Sequence, residues 1–170
     1  DRQPQHCCIL PFVRNVIGSM DFTPVVLNPK IRGSKLRTTP AFEAALAVIF
    51  ESGIQHFGLV PDEMKLMSDE VKTYLQNVPT VWDETKLIDG YPAKYVIMAR
   101  RSGKTWYIAG INGQNEKKSI NVDLSFLGQG GWTGELITDG TDRTFAEKSV
   151  NFQKVEVELQ PNGGFVIIAK

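Results

Sequence analysis

The chain has 170 residues, 42% hydrophobic and 22% charged, with 19 Lys plus Arg set against 19 Asp plus Glu. The balance is also local, with eight charges of each sign in residues 1–80 and eleven of each in 81–170. Neither half has the basic excess of a nucleic-acid binder or a membrane-surface protein, and no apolar run reaches the ~18 residues of a membrane span. A compact chain of this size can bury roughly 70% of its unfolded surface.

Residues 1–78 read as alternating helix and strand. Pro4 suits a first helical turn. Ile9, Phe12, Val13, Val16 and Ile17 share one face at helical spacing, and Gly18 marks a stop. Pro11 lies inside that pattern and should kink the helix or mark its true start. Met20–Thr23 is a short strand closed by Pro24. A Gly/Ser/Pro loop follows, holding Lys30, Arg32, Lys35 and Arg37, and is read as solvated rather than as an anion site. Thr39 caps a helix with Pro40 in its first position. That helix, AFEAALAVIFES, is apolar nearly all round, as in the interior of a larger protein, and Gly53 is its expected stop. Ile54–Leu59 is a second short strand. Ser68 caps a last helix, DEVKTYLQNV, which Pro79 ends.

From about Val81 the texture changes to strand-like runs separated by turns. The runs are Val81–Ile88, Tyr95–Arg101, Thr105–Asn112, Ser119–Phe126, Thr133–Thr138, Ser149–Phe152, Val155–Leu159 and Phe165–Ala169. Ile120, Val122 and Leu124 alternate with polar residues, as do Val155, Val157 and Leu159. Ser102-Gly103 and Asn112-Gly113 read as hairpin punctuation, and Gly128–Gly131 as a turn. The expected class is α/β plus all-β, with a boundary near residue 80. The run HCCILPFVRNVIGSMDFTP is apolar enough to be core yet starts only five residues in, so the chain is expected to be the C-terminal piece of something longer.

Candidate chemistry is sparse. No metal motif, nucleophile elbow or phosphate loop is present. Cys7 and Cys8 are adjacent, their Cα atoms ~3.8 Å apart, too close for an ordinary disulfide, and are expected to be free buried thiols. Asp21 sits on the first strand. It either caps a turn, pairs with Arg14, or lies at the strand end where a barrel builds its active site. Arg14 in an apolar helix needs a partner. His6, just before that helix, is a cap or a pocket group. His56 reads as a packed core histidine. Asp62-Glu63, Asp69-Glu70 and Asp83-Glu84 favour helix starts and turns. Trp82, Trp106 and Trp132 are read as core, with a sugar-stacking platform as the alternative.

The ordered words H-x-x-I-L-P-F-x-R-N (His6 to Asn15), G-S-M-D-F-T-P (Gly18 to Pro24), F-E-S-G-I-Q-H-F (Phe50 to Phe57), V-P-T-V-W-D-E-T-K-L-I-D-G-Y-P (Val78 to Pro92) and W-Y-I-A-G-I-N-G (Trp106 to Gly113) resemble the C-terminal part of glycoside hydrolase family 97. The pattern departs at Cys8 and Val13, where the family would carry threonine. The resemblance implies that residues 1–80 are the last βα units of a (β/α)8 catalytic barrel and 81–170 a C-terminal antiparallel β-domain. It implies a bacterial, periplasmic α-glucosidase or α-galactosidase with an α-linked oligosaccharide substrate. Calcium would serve the full-length enzyme, with no ligand expected in this chain. The catalytic carboxylates are expected upstream of Asp1, leaving Asp21 as a weak catalytic candidate and His6, Arg14 and Asp21 as substrate-pocket candidates. A barrel needs ~250 residues, so an isolated 170-residue piece should be inactive and should self-associate through its uncovered apolar side. A self-standing carbohydrate-binding or scaffold β-module is the competing reading.

Overall fold

A computed structural model describes residues 2–27, 36–65, 67–152 and 154–170. The loop cations Lys30, Arg32 and Lys35 lie outside the described residues.

The first apolar run does not form one helix. It breaks into α1 (Gln3–Cys7), a 3-10 turn (Leu10–Phe12) and α2 (Arg14–Ile17). Pro11 lacks an N–H and sits in the first turn of the 3-10 segment, which re-aims the chain. The expected single apolar face is therefore split. Leu10 and Phe12 pack on the core, while Val16 and Ile17 stay 74% and 85% exposed.

The two strands expected at 20–23 and 54–59 are parallel, but they shrink to a single bridge between Phe22 and Gln55. Hydrogen bonds from Met20 N–H to the Glu51 carbonyl (2.9 Å) and from Gly58 N–H to the Pro24 carbonyl (2.9 Å) extend the contact on either side. Two strands with no paired neighbour among the described residues make a weak ladder, which explains the shortness. The described residues form no closed barrel.

Between these strands runs α3 (Pro40–Ile49), every residue of which is buried. The Thr39 hydroxyl accepts from Phe42 N–H at 3.2 Å, as its capping position predicts. The helix ends at Phe50, which turns extended, three residues before the expected stop at Gly53. The short helix α4 (Pro61–Lys65) carries Asp62 and Glu63 in its first turn. In α5 (Asp69–Asn77) the Ser68 hydroxyl accepts from Val71 N–H at 3.2 Å.

Eight strands follow: β1 (Glu84–Tyr91), β2 (Tyr95–Ser102), β3 (Thr105–Asn112), β4 (Lys118–Val122), β5 (Gly134–Asp139), β6 (Phe145–Ser149), β7 (Val155–Leu159) and β8 (Gly164–Ala169). Six form an antiparallel sheet in the order β1-β2-β3-β8-β5-β6, while β4 and β7 pair separately. The expected strand Ser149–Phe152 is displaced. The strand lies at 145–149, and Val150 and Phe152 leave it to pack against the core.

Asn112-Gly113 is not a hairpin, because β3 pairs with β2 and β8 rather than β4. The Asn112 side-chain amide instead donates to the carbonyls of Glu116 (2.8 Å) and Gln160 (3.0 Å). A Cβ on Gly113 would stand 2.9 Å from the Pro4 carbonyl oxygen and 3.0 Å from Cys8 Sγ. Glycine is required there by the close approach of α1.

Strand alternation makes two cores. Ile97, Ala99, Trp106, Ile108 and Ile167 face β4 and β7, forming the inside of a sandwich. Val96, Met98, Ala109, Ile111 and Val166 face the other way and share one cluster with Phe42, Leu46, Ile49 and Phe50. Helix α3 thus lies flat on the sheet.

Candidate functional site

The parallel pair brings candidate polar groups together on one face. Met20, Phe22 and Phe57 point to the core. The Phe22 ring meets Phe50 edge-on, with centroids 4.7 Å apart. Side chains alternate along a strand, so Asp21, Thr23, Ile54 and His56 point to the opposite side. All four are exposed, Ile54 to 63%. With Phe22 they line a shallow open depression of about 380 Å³. A carboxylate, a hydroxyl and an imidazole on one concave surface can hydrogen-bond the hydroxyl groups of a polar ligand.

The other sequence candidates fall elsewhere. Arg14 does not pair with Asp21. Its guanidinium donates to the carbonyls of Gly18 (3.0 Å) and Ser19 (2.8 Å), bracing the turn that launches the first strand. His6 is exposed on α1 and does not line the depression. His56 is exposed rather than a packed core histidine, because its strand turns this residue away from α3. Asp62 lies on α4 and pairs with Lys65 at 2.8 Å.

Trp106 is 6% exposed, and Trp132, half-buried, donates its indole N–H to the Leu127 carbonyl at 3.1 Å. Trp82 is half-buried and edge-on to Tyr107. The tryptophans therefore present no open stacking platform. Cys7 and Cys8 are free and buried. Burial pushes the Cys7 thiol up strongly and Cys8 up to about 12, so neither is a thiolate at neutral pH.

Sequence reading missed the buried charges that hold this region together. Arg100 on β2 is 2% exposed and its guanidinium pairs with the Glu51 carboxylate. Burial lowers the arginine pKa, and Glu51 opposes that shift. Glu43, inside α3, is 2% exposed and accepts from the Thr38 hydroxyl at 2.5 Å. Burial raises its pKa to about 7, against the opposing pull of the Thr38 and Val26 hydrogen bonds and the Arg143 charge. Asp139, at the end of β5, accepts from Ala41 N–H (3.2 Å) and Gly164 N–H (3.1 Å), and burial raises its pKa as well. A glutamate within an otherwise apolar helix was the available signal for Glu43. Among the described residues, no group of three or more His, Cys, Asp or Glu side chains could hold a metal ion.

Residues 81–170 match the family described as "Glycosyl-hydrolase 97 C-terminal, oligomerisation". The chain is 36% identical over 167 residues to a Streptomyces bingchenggensis protein named "Probable retaining alpha-galactosidase", covering 97% of this chain and 26% of that one. It is 30% identical over 189 residues to the retaining α-galactosidase of Bacteroides thetaiotaomicron, covering 99% of this chain and 28% of that one. The chain thus spans about a quarter of the length of these relatives. Among solved structures, a β-arabinopyranosidase superposes with a TM-score of 0.88 at 34% identity, over 98% of this chain and 28% of that one. A family 97 enzyme from Pseudoalteromonas sp. strain K8, in complex with panose, superposes with a TM-score of 0.82 at 25% identity, again over 98% and 28%. The five sequence words, the match across the β-rich half and these likenesses across nearly the whole chain agree: the chain belongs to glycoside hydrolase family 97.

Proposed function

We propose that this chain is the C-terminal part of a longer α-glycoside hydrolase, with residues 1–80 completing a (β/α)8 barrel and 81–170 forming a β-domain against it. One observation carries the reading. The parallel pair buries one side against α3 and leaves Asp21, Thr23, Ile54 and His56 uncovered on the other. In a closed barrel, that second side faces the interior and the sugar. The exposed apolar side chains of Val16, Ile17 and Ile54 are the surface that the rest of a barrel would cover.

The proposed substrate is an α-galactoside. The names of both relatives give them as retaining α-galactosidases, that from Streptomyces bingchenggensis as "Probable". The arabinopyranosidase likeness favours the same stereochemistry, since β-L-arabinopyranose is α-D-galactopyranose without its hydroxymethyl group. Hydrolysis needs two carboxyl groups across the scissile bond, ~5–5.5 Å apart for retention and ~6.5–9.5 Å for inversion. Among the described residues Asp21 is the only carboxylate lining the depression, so the pair is assigned to the upstream portion and Asp21 to sugar binding. His6 and Arg14 lie outside the depression, and Arg14 is proposed to act on it through the Gly18–Ser19 turn. Calcium, which the family resemblance implies, finds no donor set among the described residues and is likewise assigned upstream. We also place the full enzyme in the bacterial periplasm, with self-association through its C-terminal domain.

The test is hydrolysis of nitrophenyl α-galactoside, α-glucoside and β-L-arabinopyranoside by the longer protein and by the 170-residue chain. The longer protein should prefer the galactoside, and Asp21→Asn should raise KM by tenfold or more. Turnover by the 170-residue chain, abolished by Asp21→Asn, would overturn the reading in favour of a small intact enzyme.

A further inference from the structure

We infer that Arg100, an arginine of the β-rich half, is a positioning residue for the strand that carries Asp21. The inference rests on the sugar-facing assignment of that strand. Arg100 projects from β2 toward the exit of α3. One guanidinium nitrogen pairs with the Glu51 carboxylate and the other donates to the Ile49 carbonyl at 3.3 Å. Its guanidinium carbon also lies 5.8 Å from the centroid of the Trp82 ring.

These contacts fix residues 49–51 at two points. A planar fork can do this and a lysine ammonium cannot do it equally well. The backbone of Glu51 then does the second half of the work. Its carbonyl accepts from Met20 N–H at 2.9 Å and from the Asn15 side-chain amide at 3.3 Å. Met20 is the residue before Asp21, and Phe22 bridges Gln55. The relay therefore runs from β2 through the Glu51 side chain to the Glu51 carbonyl, and from there to the first strand.

Nothing in local packing requires a charge at this point. Arg100 is 2% exposed in a strand otherwise filled with apolar residues on that face. A buried arginine that spans two halves of a molecule is costly unless its partners are held. Here it neutralises Glu51 and satisfies a carbonyl at the C-terminal end of α3, where a cation is favoured. The geometry gives the β-rich half a direct hold on the proposed sugar-binding strand.

The experiment uses the longer protein with Arg100→Ala, Arg100→Lys and Glu51→Gln. Hydrogen exchange at Met20 and at Ile108, deep in β3, is read beside kcat and KM on nitrophenyl α-galactoside. Arg100→Ala should speed Met20 exchange at least tenfold while leaving Ile108 unchanged, and should lower kcat/KM at least tenfold. Arg100→Lys should recover part of both effects, and Glu51→Gln should reproduce them in weaker form. Unchanged Met20 exchange, or equal acceleration at Ile108, would overturn the positioning role, as would wild-type kcat and KM in Arg100→Ala. A wild-type protein inactive on every α-glycoside would refute the proposed activity instead, and the exchange comparison would then decide the relay alone.

Discussion

Replacing Glu43 by glutamine should stabilise the protein at alkaline pH and leave it nearly unchanged in acid. Glu43 lies inside α3 and is 2% exposed. Burial moves its pKa from 4.5 to about 7. A displacement of that size corresponds to about 3 kcal/mol held against the ionised form. The native state therefore keeps a proton that the unfolded chain releases, and stability falls as pH rises from about 4.5 to about 7. Above that window the loss is complete. Glutamine has the shape of the protonated acid, can still accept from Thr38, and does not ionise. Glu43→Gln should therefore match wild type within about 1 kcal/mol at pH 4.5 and exceed it by roughly 2–3 kcal/mol at pH 8. Asp139, whose pKa is also raised, should leave a smaller slope of the same sign in the variant. Urea unfolding followed by tryptophan fluorescence across this range measures the difference. A variant less stable than wild type at pH 8 would refute the reasoning, because it would mean that ionised Glu43 and Arg143 form a net stabilising pair.

Gly164→Ala should destabilise by about 1–3 kcal/mol, because the new methyl group would stand 2.6 Å from Phe42 Cα and 2.9 Å from the Ala41 carbonyl oxygen. Both neighbours are backbone and cannot step aside, so a wild-type urea midpoint would contradict the contact between α3 and β8. The purified 170-residue chain should bind a hydrophobic dye and associate with rising concentration, since Val16 and Ile17 are 74% and 85% exposed. Val16→Ser with Ile17→Ser should at least halve the dye signal. A strictly monomeric, dye-negative parent would contradict the view that a larger body covers this side.

Local signals carried well into the structure wherever one residue decides the outcome. Thr39, Ser68 and Pro40 placed the starts of α3 and α5, and the total burial of α3 followed from its unbroken apolar run. The strand-like runs between turn residues placed seven of the eight strands. The mismatches have more than one cause, some local and some set by partners distant in sequence. The interruption expected at Pro11 is present, and it splits the apolar face that helical spacing had joined. Asn112-Gly113 looked like a hairpin and is instead a clamp against α1 and the segment before β8. His56 was read as a packed core histidine, but strand alternation turns it outward. The open side of the depression was legible only through Asp21. The Arg100–Glu51 and Glu43 contacts join residues with no sequence signal in common.

Helix α3 lies so close to β8 that a bare glycine is needed at their contact, and its side chains complete one face of the sheet. The change in sequence texture near residue 80 is therefore not a seam along which the molecule comes apart. A stop codon after α5 would not yield a smaller working protein. It would strip away the sheet that Phe42, Leu46 and Ile49 are buried against, and the exposed helix would become a target for chaperones and proteases. Exchanging the β-rich half between relatives should succeed only when α3 travels with it.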